Sequence, residues 1–246
     1  MIGTSQDTHY LWQVVTHLGS GSLMLPLAGI TAVGLWRTHQ QASLRVWFLA
    51  MTAAVVVTLV TKIAFIGWGI GIAALNFTGI SGHTLIATSV LPFLFGWLLA
   101  RDGERFRNSG VLLGLLLGGV VGSSRVVLGM HSSSEVMVAW IAGLIVSAVA
   151  LNSLVGRVGQ PPLFVRLSPL ALLLSFSTTT STYLPTHEWE VAMALLLSGR
   201  DTPYTRHQMM WSVPPSAALT LRQDSPIGLM QRLPSPLCAR YNRCHA

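Results

Sequence analysis

Five ionisable side chains stand out in the apolar middle of this chain. Lys62, Arg125 and Glu135 are its only charged residues outside one short loop, and His83 and His131 lie in the same stretch. Ionisable groups in or beside a bilayer are costly and mark functional sites by default. Cations suit an oxyanion, and two imidazoles with one carboxylate suffice for phosphoryl transfer in two steps. The set therefore predicts a phosphate-handling site.

The chemistry of these groups suggests a role for each. His131 attacks phosphorus, and Glu135 orients its imidazole and stabilises the cation that forms. His83 then protonates the departing alkoxide. Lys62 and Arg125 stabilise charge on the transferring group, so we expect neither a metal ion nor another cofactor.

The glycine-rich turn that precedes His83 is typical of an anion site. Ser81 is placed as an N-cap, and Gly82 follows it at the start of an apolar segment. A helix N-terminus with free N–H donors attracts anions. We therefore expect Ser81 and Gly82 to bind phosphate together with the two cations.

Each of these residues also has a simpler interpretation. Ser132 and Glu135 match the S-x-x-E capping box of a helix start. Lys62 and Arg125 would extend from helix ends to the membrane interface, and a single histidine near a membrane surface is more often a packing residue. The joint occurrence of all five groups favours a functional site.

The composition is that of an integral membrane protein. Hydrophobic residues make up 51% of the chain, charged residues only 9%, and the mean hydropathy is +0.58. Each apolar segment is near the ~20 residues that cross a bilayer as a helix. The segments are 20–36, 46–68, 84–100, 109–128 and 135–155. We predict an all-α bundle of five or six transmembrane helices.

The basic residues predict an orientation. Alternate loops carry seven of them: Arg37, Arg45, Arg101, Arg105, Arg107, Arg157 and Arg166. The positive-inside rule makes these loops cytoplasmic and places the five ionisable groups at the outer face. The net charge of +7 thus indicates topology and contact with anionic lipid, and no nucleic-acid partner is expected.

The chain after the fifth segment is harder to interpret. A short apolar run at 167–178 is either a sixth span or a re-entrant hairpin, and the arginines that follow weakly favour the hairpin. After about Asp201 the tail is rich in Pro, Ser, Arg and Gln, and we expect it to be mostly irregular. The predicted division is a membrane domain at 1–166 and a carboxyl-terminal region at 167–246.

A small-residue stripe runs along the fourth segment. It consists of Gly110, Gly114, Gly118 and Gly122. Such a stripe allows close approach of another helix. We expect packing within the chain, with a homodimer contact as the alternative.

The motif residues resemble those of the PAP2 superfamily, the type 2 phosphatidic acid phosphatases related to vanadium haloperoxidases. The family blocks are K-x6-R-P, P-S-G-H and S-R-x5-H-x3-D. This chain matches them with Lys62, Ser81-Gly82-His83, and Ser124-Arg125, His131 and Glu135. The resemblance covers roughly residues 46–155.

The resemblance implies a membrane helix bundle with its site near the outer surface. It makes His131 the nucleophile that becomes phosphohistidine, Glu135 its carboxylate and His83 the general acid. Phosphate would be held by Lys62, Ser81, Gly82 and Arg125.

Three positions depart from the family pattern. Ile80 replaces a proline, Glu135 stands in the aspartate slot, and Gly69-Ile70 replaces the Arg-Pro of the first block. The missing arginine is the serious departure. The sequence offers Trp68, Asn76, Thr78 and Arg200 as substitutes.

The favoured function is hydrolysis of a phosphate monoester or diphosphate on a membrane lipid, such as undecaprenyl diphosphate or phosphatidic acid. A bacterial inner membrane, with the site facing the periplasm or exterior, is the expected location. The missing arginine motivates an alternative, a relative that binds a phospholipid without hydrolysis or transfers phosphate to another lipid. A small transporter is a further alternative, although its ionisable groups would lie near the bilayer midplane.

Overall fold

A computed structural model describes residues 3–154, 161–176 and 186–211 of the 246-residue chain. These residues form α-helices, two short 3₁₀ turns and one isolated bridge pair, without an extended strand among them. The helices are α1 Gly3–His17, α2 Gly21–Arg37, α3 Gln41–Trp68, α4 Gly82–Leu99, α5 Glu104–Val127, α6 Ser133–Asn152, α7 Leu163–Phe176, α8 Thr186–Ser198 and α9 Arg206–Trp211. The predicted all-α class is confirmed.

Within the described residues, five segments are long and apolar enough to cross a membrane. They are Thr8–Arg37, Gln41–Trp68, Gly82–Leu99, Glu104–Val127 and Ser133–Asn152. Each contains or closely overlaps one of the apolar segments predicted from the sequence. The first span also includes most of α1, which lies before the first predicted apolar segment. The chain is therefore an integral membrane protein.

α4 is the central helix of the bundle and packs against α2, α3, α5 and α6. Its buried side chains point in several directions, and Phe93, Leu94 and Trp97 are completely enclosed. A helix that is apolar all round is stable only when neighbours surround it. This central position fixes the N-terminus of α4 relative to its neighbours.

The glycine stripe of α5 is the surface against which α4 packs. A Cβ atom on Gly110 would overlap the backbone of Phe95, and one on Gly114 would overlap the backbone of Pro92. All four glycines of the stripe are buried. Packing within the chain is thus confirmed. The face that the alternative, a homodimer contact, would use is covered by α4.

The two ends of the bundle can be told apart by the direction of the helices. α4 and α6 begin at one end, which we call proximal, and the Ser81 N–H donates there to the carbonyl of Glu135 at 3.5 Å. At the opposite, distal end, the Ser43 hydroxyl of α3 donates to the carbonyl of Ala150 of α6. α3 and α5 therefore end at the proximal end.

The carboxyl-terminal helices reach from the distal to the proximal end. α7 packs against α2 at the distal end, where the buried Val165 side chain lies beside Gly34. α8 packs against α3 near the proximal end, where Glu190 binds Lys62. Whether the run at 167–178 is a sixth span or a re-entrant hairpin stays a prediction, because residues 177–185 lie outside the described part of the chain.

The tail after Asp201, which is predicted to be mostly irregular, contains one short helix in its described part. Residues 206–211 form α9. The predicted domain boundary after residue 166 falls inside α7. The rest of the predicted tail, 212–246, lies outside the described residues.

Candidate active site

The turn between α5 and α6 places a histidine and a glutamate in direct contact. α5 ends at Val127, and Gly129 with a φ of 69° reverses the chain. Ser132 then caps α6: its hydroxyl accepts from the N–H of Glu135, whose carboxylate accepts from the N–H of Ser132. The capping box is therefore present. Glu135 also makes a contact outside the capping box: its Oε2 lies 2.7 Å from Nδ1 of His131.

Glu135 is a fully buried carboxylate bound from several elements. Its Oε1 accepts from the backbone N–H of Thr78 at 2.7 Å and from the Thr78 hydroxyl at 2.6 Å. The Nη2 group of Arg206 donates to both carboxylate oxygens, at 2.8 and 3.0 Å. Such a carboxylate is ionised and accepts the Nδ1–H of His131. The Nε2 atom of the imidazole then carries the lone pair that can attack an electrophile.

His131 sits in the loop before α6 and is mostly buried. Burial lowers the pKa of His131 below its usual 6.5, and the positive charges of Arg125 and Lys62 act in the same direction. The hydrogen bond and charge of Glu135 oppose this shift in part. His131 is therefore neutral near pH 7, the state that a nucleophile requires.

The start of α4 contributes the second predicted group. Ser81 is the N-cap residue by position, but its hydroxyl pairs with the Thr84 hydroxyl at 3.0 Å and does not cap a backbone N–H. A Cβ atom on Gly82 would meet open space, so the helix start is accessible from that side. His83 lies close enough to Arg125, Lys62 and His131 for their charges to act on its imidazole.

Lys62 reaches the site from α3. A Cβ atom on Gly79 would lie 2.8 Å from Cγ of Lys62, so only glycine lets the turn before α4 lie so closely on α3. The ammonium group donates to both oxygens of Glu190 in α8, at 2.8 and 3.0 Å. The sequence predicted Lys62 at this position and missed its partner.

Arg125 is the last basic residue of α5 and points toward α1. Its Nη1 group donates to the Thr16 hydroxyl at 3.1 Å, and Thr16 is itself buried. α1 therefore forms part of the wall around the site. The neighbouring Ser124 is buried and bonds to the carbonyl of Val121, as a residue that stabilises the helix end.

All of the predicted site residues lie at the proximal end of the bundle. They are Lys62, Ser81, Gly82, His83, Arg125, His131 and Glu135. Two further charged groups, Glu190 and Arg206, were missed. Neither has a fixed spacing to a motif residue, and only a general arginine enrichment of the tail could have drawn attention to Arg206.

Of the four proposed substitutes for the missing arginine, only two lie at the site. Arg200 lies over the ring of Tyr204, with 5.6 Å between its guanidinium carbon and the ring centre. Trp68 is exposed. Asn76 and Thr78 are both at the site, where they accept hydrogen bonds from Arg206. The guanidinium beside the motif residues thus comes from α9.

A cavity of about 310 Å³ opens beside the α4 N-terminus, between α2, α3, α4 and α8. Lys62, Gly82, His83 and Glu190 line its polar edge. Its other walls are mainly apolar side chains: Leu25, Val55, Leu59, Ile63, Leu85, Ile86, Trp189 and Met193. The cavity thus combines a charged edge with an apolar interior.

The described ranges contain no group of three or more His, Cys, Asp and Glu side chains arranged to hold a metal ion. The donors that can face an oxyanion are cationic or N–H groups from α3, α4 and α5.

Comparison with known proteins places the chain in a family. The sequence profile of the PAP2 superfamily matches residues 74–158, which include every predicted site residue except Lys62. A Klebsiella pneumoniae protein described as "Uncharacterized 22.5 kDa protein in cps region" is 33% identical over 217 residues, covering 81% of this chain and 99% of that protein. No solved structure matches.

Proposed function

Because the chain belongs to the PAP2 superfamily, whose members are typically phosphatases, we propose that it is a metal-independent phosphatase acting on a membrane lipid. The substrate carries a phosphate monoester or a diphosphate. The observation that carries this proposal is the bond from His131 to the buried carboxylate of Glu135, beside the exposed start of α4. It leaves Nε2 of a neutral imidazole for attack on phosphorus.

In the first step, Nε2 of His131 forms a bond to phosphorus while the bond from phosphorus to the leaving oxygen breaks. The electron pair of that bond goes to the leaving oxygen, and His83 supplies a proton to it. Glu135 stabilises the positive charge that develops on His131. Lys62, Arg125 and the N–H of Gly82 at the start of α4 hold the phosphoryl oxygens, while the N–H of Ser81 stays bound to the carbonyl of Glu135.

In the second step, water attacks the phosphohistidine. His83, now neutral, accepts a proton from the water, and the bond from nitrogen to phosphorus breaks with its electron pair returning to His131. Inorganic phosphate is released, and both histidines regain their starting protonation states. No external reagent besides water is consumed.

The cavity supports a lipid substrate. A phosphate bound between Lys62 and His83 would have an apolar space directly next to it, in which the first part of a hydrocarbon chain fits. Undecaprenyl diphosphate, phosphatidic acid, phosphatidylglycerophosphate and lipid A-type phosphates all share this amphiphilic character. The Klebsiella pneumoniae relative supports a bacterial inner membrane, and the arrangement of basic loops supports a site that faces the periplasm or exterior.

The decisive experiment measures phosphate release from a panel of these lipids by the purified full-length protein, with EDTA present. We expect release from at least one lipid. His131→Ala should lower kcat by more than about 10³-fold, because the nucleophile is lost. His39→Asn is the control: His39 is exposed at the distal end with a φ of 58°, which asparagine also tolerates.

The same panel tests the alternatives. Full turnover in His131→Ala would refute the nucleophile assignment, and complete loss of release on adding EDTA would refute metal independence. Phosphate recovered on a second lipid in place of inorganic phosphate would identify a phosphotransferase. A transporter would show no release, and the charged groups would have to lie near the midplane, whereas they lie at one end of the bundle.

A further inference from the structure

The segment from α8 to α9 extends beyond the part of the chain that the PAP2 profile matches, yet it places Arg206 against the site. We propose that Arg206 is a positioning residue of the active site: its guanidinium holds the Glu135 carboxylate and, through it, the imidazole of His131. This inference rests on the proposed function for its catalytic consequence. The structural part stands on contacts of this chain alone.

Arg206 uses two of its nitrogen atoms to join three side chains and one carbonyl. Nη2 donates to both oxygens of Glu135 and to the hydroxyl of Thr78 at 2.9 Å. Nη1 donates to the carbonyl and the side-chain oxygen of Asn76, at 3.0 and 2.9 Å. The planar guanidinium suits this fork, whereas an ammonium group presents its donors from one point.

α9 holds Arg206 in place through its own packing. Met209 of α9 is buried against Phe65 and Ala194, and the N–H of Tyr204 donates to the carbonyl of Ile66 at 2.8 Å. The ring of Tyr204 meets that of Phe65 edge to face. Arg206 therefore reaches Glu135 from a short helix that is anchored to the proximal end of α3.

The contact between Arg206 and Glu135 is important because the Glu135 carboxylate is buried. The Glu135 side chain has no exposed surface, and that of Arg206 is 35% exposed. A buried carboxylate is stable only when hydrogen bonds and charge compensate it. Arg206 thus fixes the oxygen that receives Nδ1–H of His131, and it also balances the negative charge that His131 experiences.

The charges around His131 define how removal of Arg206 would act. One group approaches from each packed element: Lys62 from α3, His83 from α4, Arg125 from α5, Glu135 from α6 and Arg206 from α9. Glu135 alone favours the protonated imidazole. Without the Arg206 charge, its carboxylate is less well balanced, so His131 should hold its proton to a higher pH.

The test is the pH dependence of His131 modification by diethyl pyrocarbonate, which reacts with neutral imidazole. Peptide mass spectrometry resolves His131 from the other histidines, and the assay needs no turnover. Arg206→Gln should move the midpoint upward by about one pH unit, since a charge near the ring is lost at a partly exposed site. Arg206→Lys, which keeps the charge, should stay near the unchanged protein.

Arg200→Gln is the matched control, because it removes the same charge from an exposed position six residues away that contacts Tyr204 and Thr202. It should leave the midpoint unchanged. Thermal unfolding checks that each variant is folded. If Arg206 only supports the fold, its replacement should lower the melting temperature and leave the pH midpoint of His131 modification unchanged.

Kinetics on an active lipid provide the second measurement. Arg206→Gln should lower kcat by roughly 10- to 100-fold, as expected when a group that orients a nucleophile is lost. An unmoved midpoint in folded Arg206→Gln, or an equal shift in Arg200→Gln, overturns the assignment of Arg206 even if the protein releases phosphate. A shifted midpoint without phosphate release from any lipid supports Arg206 and contradicts the proposed function.

Discussion

The carboxylate of Glu190 binds the ammonium group of Lys62, which a phosphate substrate would also need to bind. The two carboxylate oxygens of Glu190 lie 2.8 and 3.0 Å from Nζ of Lys62. The Glu190 side chain is only 9% exposed, and the Lys62 side chain is only 20% exposed. A phosphate that binds Lys62 must displace this carboxylate or tolerate its negative charge. We therefore predict that Glu190→Gln binds a phosphate substrate more tightly than the unchanged protein does.

The contacts give the size of the effect. A hydrogen bond to a charged group contributes about 1.5–3 kcal/mol net, and a neutral acceptor about half as much. Glutamine at position 190 can still accept from Lys62, so the substitution removes roughly 1 kcal/mol of competition. Because 1.4 kcal/mol corresponds to about a tenfold change in affinity, KM should fall by about fivefold. We expect little change in kcat, since Glu190 does not contact His131.

The assay measures KM for a lipid phosphate in detergent micelles and, separately, inhibition by inorganic phosphate. Inorganic phosphate reports on the anion site without any contribution from the lipid chain. Both constants should fall in Glu190→Gln. Glu188→Gln is the matched control, because Glu188 is an exposed residue of the same helix and its replacement changes the net charge equally.

Two results would refute this reasoning. An unchanged or raised KM in Glu190→Gln would show that Glu190 does not compete with substrate for Lys62. An equal fall in Glu188→Gln would show that the general charge of α8, and not the contact, controls anion affinity.

The remaining predictions concern packing and protonation. Gly114→Ala should destabilise the protein by at least about 1–3 kcal/mol, because its Cβ would lie 2.5 Å from the carbonyl carbon of Leu91 in the α4 backbone. Gly119→Ala, whose Cβ would lie 3.6 Å from Nε1 of Trp140, should not lose stability, since alanine favours helix more than glycine does; equal melting temperatures for the two variants would contradict this packing. For His131, half-maximal modification by diethyl pyrocarbonate should fall below pH 6.5, because burial lowers its pKa and extends the neutral form to lower pH. A midpoint above that of a model histidine peptide would mean that Glu135 outweighs burial.

Local sequence patterns predicted the main elements well, because each depends on nearby residues. Apolar length fixes the membrane helices, and the observed spans coincide with the predicted segments to within a few residues at most ends. The spacing of four between His131 and Glu135 carries the contact between them, since it spans one turn at the start of α6. The glycines of α5 likewise predicted a close helix contact, and the structure identifies α4 as the partner.

Contacts made by α8 and α9 could not be predicted from such patterns. Glu190 is 128 residues from Lys62, and Arg206 is 71 residues from Glu135. Their meeting depends on how α8 and α9 pack against the proximal end of α3, which no local pattern of residues specifies. The arginines of the tail even favoured the opposite end, because the positive-inside rule counts charges and cannot see that Arg206 binds a buried carboxylate.

The charged groups at the proximal end are paired with one another. Lys62 is balanced by Glu190, and Glu135 is balanced by Arg206 and the His131 proton donor. Groups of one sign left unpaired in such a buried place would be costly. A phosphate that enters and takes Lys62 from Glu190 would disturb one ion pair and leave the Arg206 pair, which orients the nucleophile, intact.

The family profile begins at residue 74 and ends at residue 158, so it includes neither Lys62 nor the two helices that supply these partners. The charged groups that meet at the proximal end therefore come from both inside and outside the matched region, and a fragment limited to that region lacks Lys62, Glu190 and Arg206.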